Sequence, residues 1–141
     1  MSKRMLLAAL AGAVVSFLAG WLVYGILLKD YYMAHTTHYE GLMKEPPVLW
    51  AIFVSGLCST LLMAYIFDKW ANIRTFGGGA MAGAWIGFLV ILSFDLSFHA
   101  FFNLYPDPIV FVVDVLVGTV FNAVIGGVVA MALGMGNKAS A

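Results

Sequence analysis

Four long apolar runs, separated by shorter polar stretches, organise this chain. Residues 5–28 carry no charged side chain; residues 48–67 form a second run, and 76–96 a third that carries Asp95 near its end. Residues 109–133 form the fourth, interrupted only by Asp114 and Asn122. Each is near the roughly 20 residues that a helix needs to cross a hydrocarbon core about 30 Å thick. The ten-residue alternation of a membrane barrel is absent, so each run is predicted to be a helix that satisfies its own backbone. The expected fold is all-α: an integral membrane four-helix bundle, up-down-up-down, in one domain over residues 1–141. The N-terminal run imitates a signal peptide, with Lys3 and Arg4 ahead of it. It is too long for a signal core and reads as a retained first span.

The polar stretches set an orientation. Lys3, Arg4, Lys69, Arg74 and Lys138 fall on one side, Lys29 and Lys44 on the other. Cationic residues collect on the cytoplasmic side of short connections, so both termini and the 68–75 turn are expected in the cytoplasm. Tyr65 and Trp70 then sit at the inner interface, and Tyr31, Tyr32, Trp50 and Tyr105 at the outer one. All three histidines, His35, His38 and His99, fall on the outer side. Pro46-Pro47 and Pro106/Pro108 precede or open the second and fourth helices, where a missing N–H costs nothing.

Small residues recur every fourth position in all four runs. The first has Gly12 and Gly20, the third Gly79, Gly83 and Gly87, the fourth Gly118 and Gly126. Such ridges let helix backbones approach closely in lipid. The third ridge continues through Ile91 to Asp95 and His99, and the fourth begins at Asp114 and passes through Asn122. If the two face each other, Asp95, His99 and Asp114 converge near the outer surface as a polar or proton site. Steps of four drift by about 40°, so convergence requires the helices to cross along the ridge. Asp114 lies roughly 7 Å below the boundary at 1.5 Å per residue, deep enough that it is expected to point inward and be paired with Asp95, Ser97 or His99. Asn122, near mid-bilayer, is expected to hydrogen-bond another helix.

Composition narrows the function classes. The chain is 63% hydrophobic and 10% charged, with mean hydropathy +0.98; a soluble domain of this size needs far more polar surface. The formal net charge is zero and the basic residues form no patch, so no nucleic-acid partner is expected. Cys58 is the one cysteine and reads as a small buried apolar residue, with no disulfide or paired-thiol chemistry. The sequence GGGAMAG follows no strand and lacks the Lys-Ser/Thr of a phosphate loop. His35, His38 and Glu40, in AHTTHYE, are candidate metal ligands, because His at i and i+3 shares one face of a helical turn. No nucleophile–base pair is visible, no catalytic residue is assigned and no cofactor is predicted.

The stretches GAVVSFLAGWLVYGILLKDYY, LLMAYIFDKW followed by TFGGGAMAGAWIGF, and LVGTVFNAVIGGVVAMALG resemble an uncharacterised family of small bacterial four-span membrane proteins, a domain of unknown function. The resemblance implies the four-span fold and a multi-pass location in the bacterial inner (cytoplasmic) membrane, and it implies no activity. Small multidrug exporters also have four spans but carry a buried Glu in the first, where residues 5–28 here have no acid. The leading functional expectation is a structural or accessory protein associating through its glycine faces with itself or with a larger membrane complex; lipid is its first partner. The alternatives are a small oligomeric transporter or channel, or a metal or proton site at the outer end.

Overall fold

The structure is a computed structural model, and it describes residues 2–135. It contains five α-helices and, among the described residues, no strand. They are α1 (Lys3–Leu22), α2 (Lys29–His35), α3 (Leu49–Tyr65), α4 (Phe76–Phe101) and α5 (Pro108–Met135). Helix α1 continues into a π-helical turn at Val23–Leu27, and α3 into another at Ile66–Ala71. Four helical stretches, Lys3–Leu27, Leu49–Ala71, Phe76–Phe101 and Pro108–Met135, are long and apolar enough to cross a membrane. Large apolar side chains such as Leu7, Trp21, Trp50, Trp85, Phe94 and Val120 cover their outer faces, a surface that suits lipid and not water. The chain is a multi-pass membrane protein.

Boundaries follow local chemistry. Ser2 accepts the Met5 N–H at 3.2 Å and caps α1; Thr75 accepts the Gly78 N–H at 3.2 Å and caps α4. Asp107 accepts the Ile109 N–H at 2.8 Å, with Pro108 in the first helical position of α5. Helix α4 extends past residue 96 to Phe101 because nothing between Asp95 and Phe101 breaks it. The 29–47 connection is not all loop: Leu28 leaves helical geometry and α2 restarts at Lys29. Lys138, one of the cations behind the expected orientation, lies outside the described residues.

Helices α1, α3 and α5 pack together near the end where α1 starts. Met5, Ala8 and Ala9 meet Met63, Ala64 and Phe67, and Ile125, Val129, Ala130 and Leu133 close the core. The start of α1 thus meets the ends of α3 and α5, so both run antiparallel to it. Gly12 lets these helices close up: a Cβ there would lie 2.9 Å from Thr60 and against Val129. Thr60 donates to the Ala9 carbonyl at 2.8 Å, a buried bond across α1 and α3. Gly20 is different, since a methyl would meet Phe121 at an ordinary 3.6 Å.

Helix α4 docks on α5 along the glycine ridges. Gly79 and Gly83 abut the backbone of Asn122 and Gly126, Gly87 abuts the Asn122 side chain, and Gly118 receives Ile91. The start of α4 meets the end of α5, which completes the up-down-up-down order. Asp95 is buried on the same face as Gly79, Gly83 and Gly87, so the helices do cross along the ridge. The ridges on α4 and α5 therefore serve contacts within one chain.

Candidate functional site

Two polar clusters stand at opposite ends of the bundle. At the end where α1 begins, the π-helical turn after α3 carries Asp68. A π turn holds an extra residue and re-aims its side chains, and here it turns Asp68 inward. Arg74 donates to Asp68 Oδ1 at 2.6 Å, Arg4 donates to the same oxygen at 3.2 Å, and Lys69 Nζ lies 3.5 Å from Oδ2. Its side chain is only 5% exposed. Asp68 thus ties α1, α3 and the turn into α4 together. Arg74 also donates to Asn72, which is in left-handed geometry (φ 49°) where the π turn ends. From sequence, this segment reads only as a charged interfacial turn. The missed signal is that Asp68 is the lone acid among several cations.

At the other end the acids outnumber the cations. Asp114 of α5 accepts a hydrogen bond from the Tyr32 phenol of α2. Asp95 of α4, 5% exposed, accepts one from the Tyr105 phenol at 3.4 Å. The two carboxyls lie close enough to act on each other directly. Asp95 Oδ2 is buried and has no hydrogen-bond partner among the described residues. Arg4, Lys69 and Arg74 all pair with Asp68, and among the described residues no ion pair reaches Asp95 or Asp114. Tyr24, carried on the π turn after α1, completes the cluster, its ring 5.9 Å from that of Tyr32.

Burial pushes the Tyr32 phenol up from its ordinary value, and the hydrogen bond and charge of Asp114 push it further. Burial and then the charges of Asp114 and Asp95 do the same for Tyr105. Both phenols therefore keep their protons and act as donors. A cavity of about 340 Å³ opens above them, walled by Tyr24, Tyr32, Tyr39, Tyr105, Met33 and Met43, with Asp114 in its lining. Asp95 stands one layer behind, reached through Tyr105 and Asp114.

The expected site is brought together in part. Asp95 and Asp114 meet, and their carboxyls interact side chain to side chain as one of the expected pairings has it; the phenol that donates to Asp114 comes from Tyr32 of α2, outside the expected set. His99 is exposed and turns away beside Phe111 into a separate recess of about 300 Å³, as one more step of helical drift requires. Ser97 donates to the Ser93 carbonyl of its own helix at 2.8 Å. Asn122 does not bond another helix: its amide donates to the Gly118 carbonyl at 2.9 Å, one turn back, and its Cβ fills the hollow at Gly87.

The metal reading of His35, His38 and Glu40 fails on geometry. His35 ends α2, stacks on Tyr31 and bonds the Tyr31 carbonyl at 2.8 Å; the chain then extends from Thr36, so His38 leaves the helical face. The His38 ring bonds the Met33 carbonyl instead. Among the described residues, no three His, Cys, Asp or Glu side chains are placed to hold an ion. Cys58 is exposed on α3 and not buried.

The tyrosine donors could have been anticipated. Buried carboxyls that no Lys or Arg pairs with among the described residues need neutral donors, and the tyrosines at the helix ends supply them. Comparison with protein-family models, with curated proteins and with solved structures finds no match.

Proposed function

We propose that this is a small multi-pass protein of the bacterial inner membrane with its termini in the cytoplasm, and that it binds a positive charge at its outward end. Asp95 and Asp114 take up that charge, as a proton or a cation, from the outer aqueous phase. Lys3, Arg4, Lys69 and Arg74 at the opposite end support the orientation, as does the resemblance to small bacterial four-span proteins. One observation carries the functional reading: a buried carboxyl oxygen of Asp95 that lacks a donor, beside a second carboxyl and beyond the reach of any ion pair among the described residues. An uncompensated carboxylate at membrane depth costs a few kcal/mol. A positive charge between the two carboxyls removes that cost. Binding of this kind fits a small transporter or channel.

The test is thermal melting of the protein in lipid nanodiscs while pH is lowered or cations are added. A ligand that binds the folded state alone raises the midpoint. The midpoint of the wild type is expected to rise, and that of Asp95→Asn or Asp114→Asn to stay flat. An identical response in all three proteins would end the reading.

A second reading, an accessory protein that associates with itself or a larger complex, draws on a different place. With the α4 and α5 ridges used internally, what remains is a cleft of about 560 Å³ between α1, α3 and α5, walled partly by Ser16, Gly56 and Ser59. Native mass spectrometry of the protein extracted from its membrane tests it, and a monomer free of partners would dismiss it.

A further inference from the structure

We infer that the positive charge taken up at this end is carried by a small organic ammonium ion, seated in the tyrosine-walled cavity with its charge against Asp114. The inference rests on the carboxyl-pair reading above and names its ligand class.

The composition of the wall decides between cations. A calcium ion takes six to eight oxygen ligands and a structural zinc four nitrogen or sulfur ligands. No such group of side chains converges among the described residues. The lining instead combines one carboxylate, Asp114, with four tyrosine rings, Tyr24, Tyr32, Tyr39 and Tyr105. Aromatic faces attract ammonium groups through the ring quadrupole, more strongly when water is excluded, and quaternary ammonium ligands are commonly held this way. An apolar, aromatic cavity with one convergent charge also matches the general form of a small-ligand site.

Size and roof agree. At about 340 Å³ the cavity is near the low end of the roughly 300–1,000 Å³ range of ligand pockets, room for a small amine. The Thr37 N–H donates to the Leu104 carbonyl at 3.0 Å and fastens the 36–43 segment to the segment after α4. The second, independent feature is Asp95, whose buried and unpartnered oxygen lies behind Asp114 and Tyr105. The groups acting on this pair are Tyr32 from α2, Tyr105 from the α4–α5 connection, and Tyr24 from the end of α1. All of these are neutral donors or rings; His38, which also lines the cavity, is engaged at its ring nitrogen by the Met33 carbonyl.

An ammonium group could arrive as a free amine or as the headgroup of an outer-leaflet phospholipid; both present the same chemistry. The experiment is equilibrium dialysis of radiolabelled choline against the protein in nanodiscs of phosphatidylglycerol, which has no amine headgroup. Saturable binding is expected, weakened roughly tenfold or more by Asp114→Asn. Tyr39→Ala, a change on an exposed segment that leaves the helices intact, is expected to weaken it roughly two- to fivefold. Adding phosphatidylethanolamine to the discs separates the sources: loss of choline binding supports the headgroup, retained binding supports the free amine. No saturable binding, or binding unchanged by both variants, overturns the inference. If choline fails while the acid-dependent melting above persists in the wild type and vanishes in Asp95→Asn, the carboxyl pair binds protons alone. If that melting response is also the same in all proteins, the carboxyl-pair reading falls with it.

Discussion

Each end of the bundle buries a carboxyl group near a π-helical turn, and the two ends treat it in opposite ways. Asp68 is met by Arg4, Lys69 and Arg74, and both of its oxygens are engaged. Asp95 and Asp114 face phenols and each other, and one oxygen of Asp95 has no partner among the described residues. A buried charge whose partners come from the same chain is a fastener. A buried charge left short of positive partners is costly at rest, and it persists where a ligand completes it. The difference makes removal of the acid change sign between the two ends.

The comparison depends first on the α4–α5 seam, which holds Asp95 against Asp114. Gly126→Leu would drive a side chain into the backbone of Gly79 and Gly83. Loss of about 3 kcal/mol is expected, at the top of the usual range for overpacking, seen as a collapse of the melting midpoint in detergent. Gly20→Ala, which meets Phe121 at 3.6 Å, is expected to leave the midpoint in place.

The next effect in size is Asp68→Asn. Breaking a buried ion pair costs about 3–5 kcal/mol; Arg4 and Lys69 are partly solvated here, so roughly 2 kcal/mol is expected after discounting for screening. Asp95→Asn is expected to do the reverse. It removes one of two neighbouring acids and supplies an amide donor, so stability holds or rises by up to about 1 kcal/mol. If chemical or thermal denaturation shows both substitutions lowering stability alike, the two ends do not differ in kind.

Tyr32→Phe is expected to cost roughly 1 kcal/mol, the loss of one hydrogen bond. The phenols also set an alkaline limit. The folded-state values of Tyr32 and Tyr105 are raised, so their contribution is complete below the ordinary phenol value of about 10 and declines as pH rises above it. Stability followed from neutral to alkaline pH is expected to fall from about 10 upward, less steeply in Tyr32→Phe. The same fall in both proteins would separate Tyr32 from the effect.

The architecture is legible in the sequence because lipid imposes one demand, a long uncharged run, and four such runs are present. The α4–α5 seam is legible for a similar reason: glycines at a spacing of four have few other uses in lipid. The site is legible only in part. Spacing along α4 places Asp95 toward α5, but spacing cannot say that Tyr32 and Tyr105, from outside the long helices, supply the hydrogen bonds. Nor does it reveal that π turns carry Tyr24 and Asp68, since a π turn depends on how the helix end is packed. Asn122 defeats the expectation of an interhelical bond because its own helix offers the Gly118 carbonyl nearer at hand.

The most direct test of the central claim is infrared difference spectroscopy of the carboxyl C=O stretch, recorded as the outer pair takes up charge. The protein in lipid is compared at neutral and acid pH, and again with and without choline, alongside Asp95→Asn and Asp114→Asn. The account predicts a carboxyl signal in the wild type that acid and choline both alter, with the acid-dependent change removed by either single substitution and the choline-dependent change removed by Asp114→Asn. A spectrum whose carboxyl changes are the same in all three proteins would contradict it.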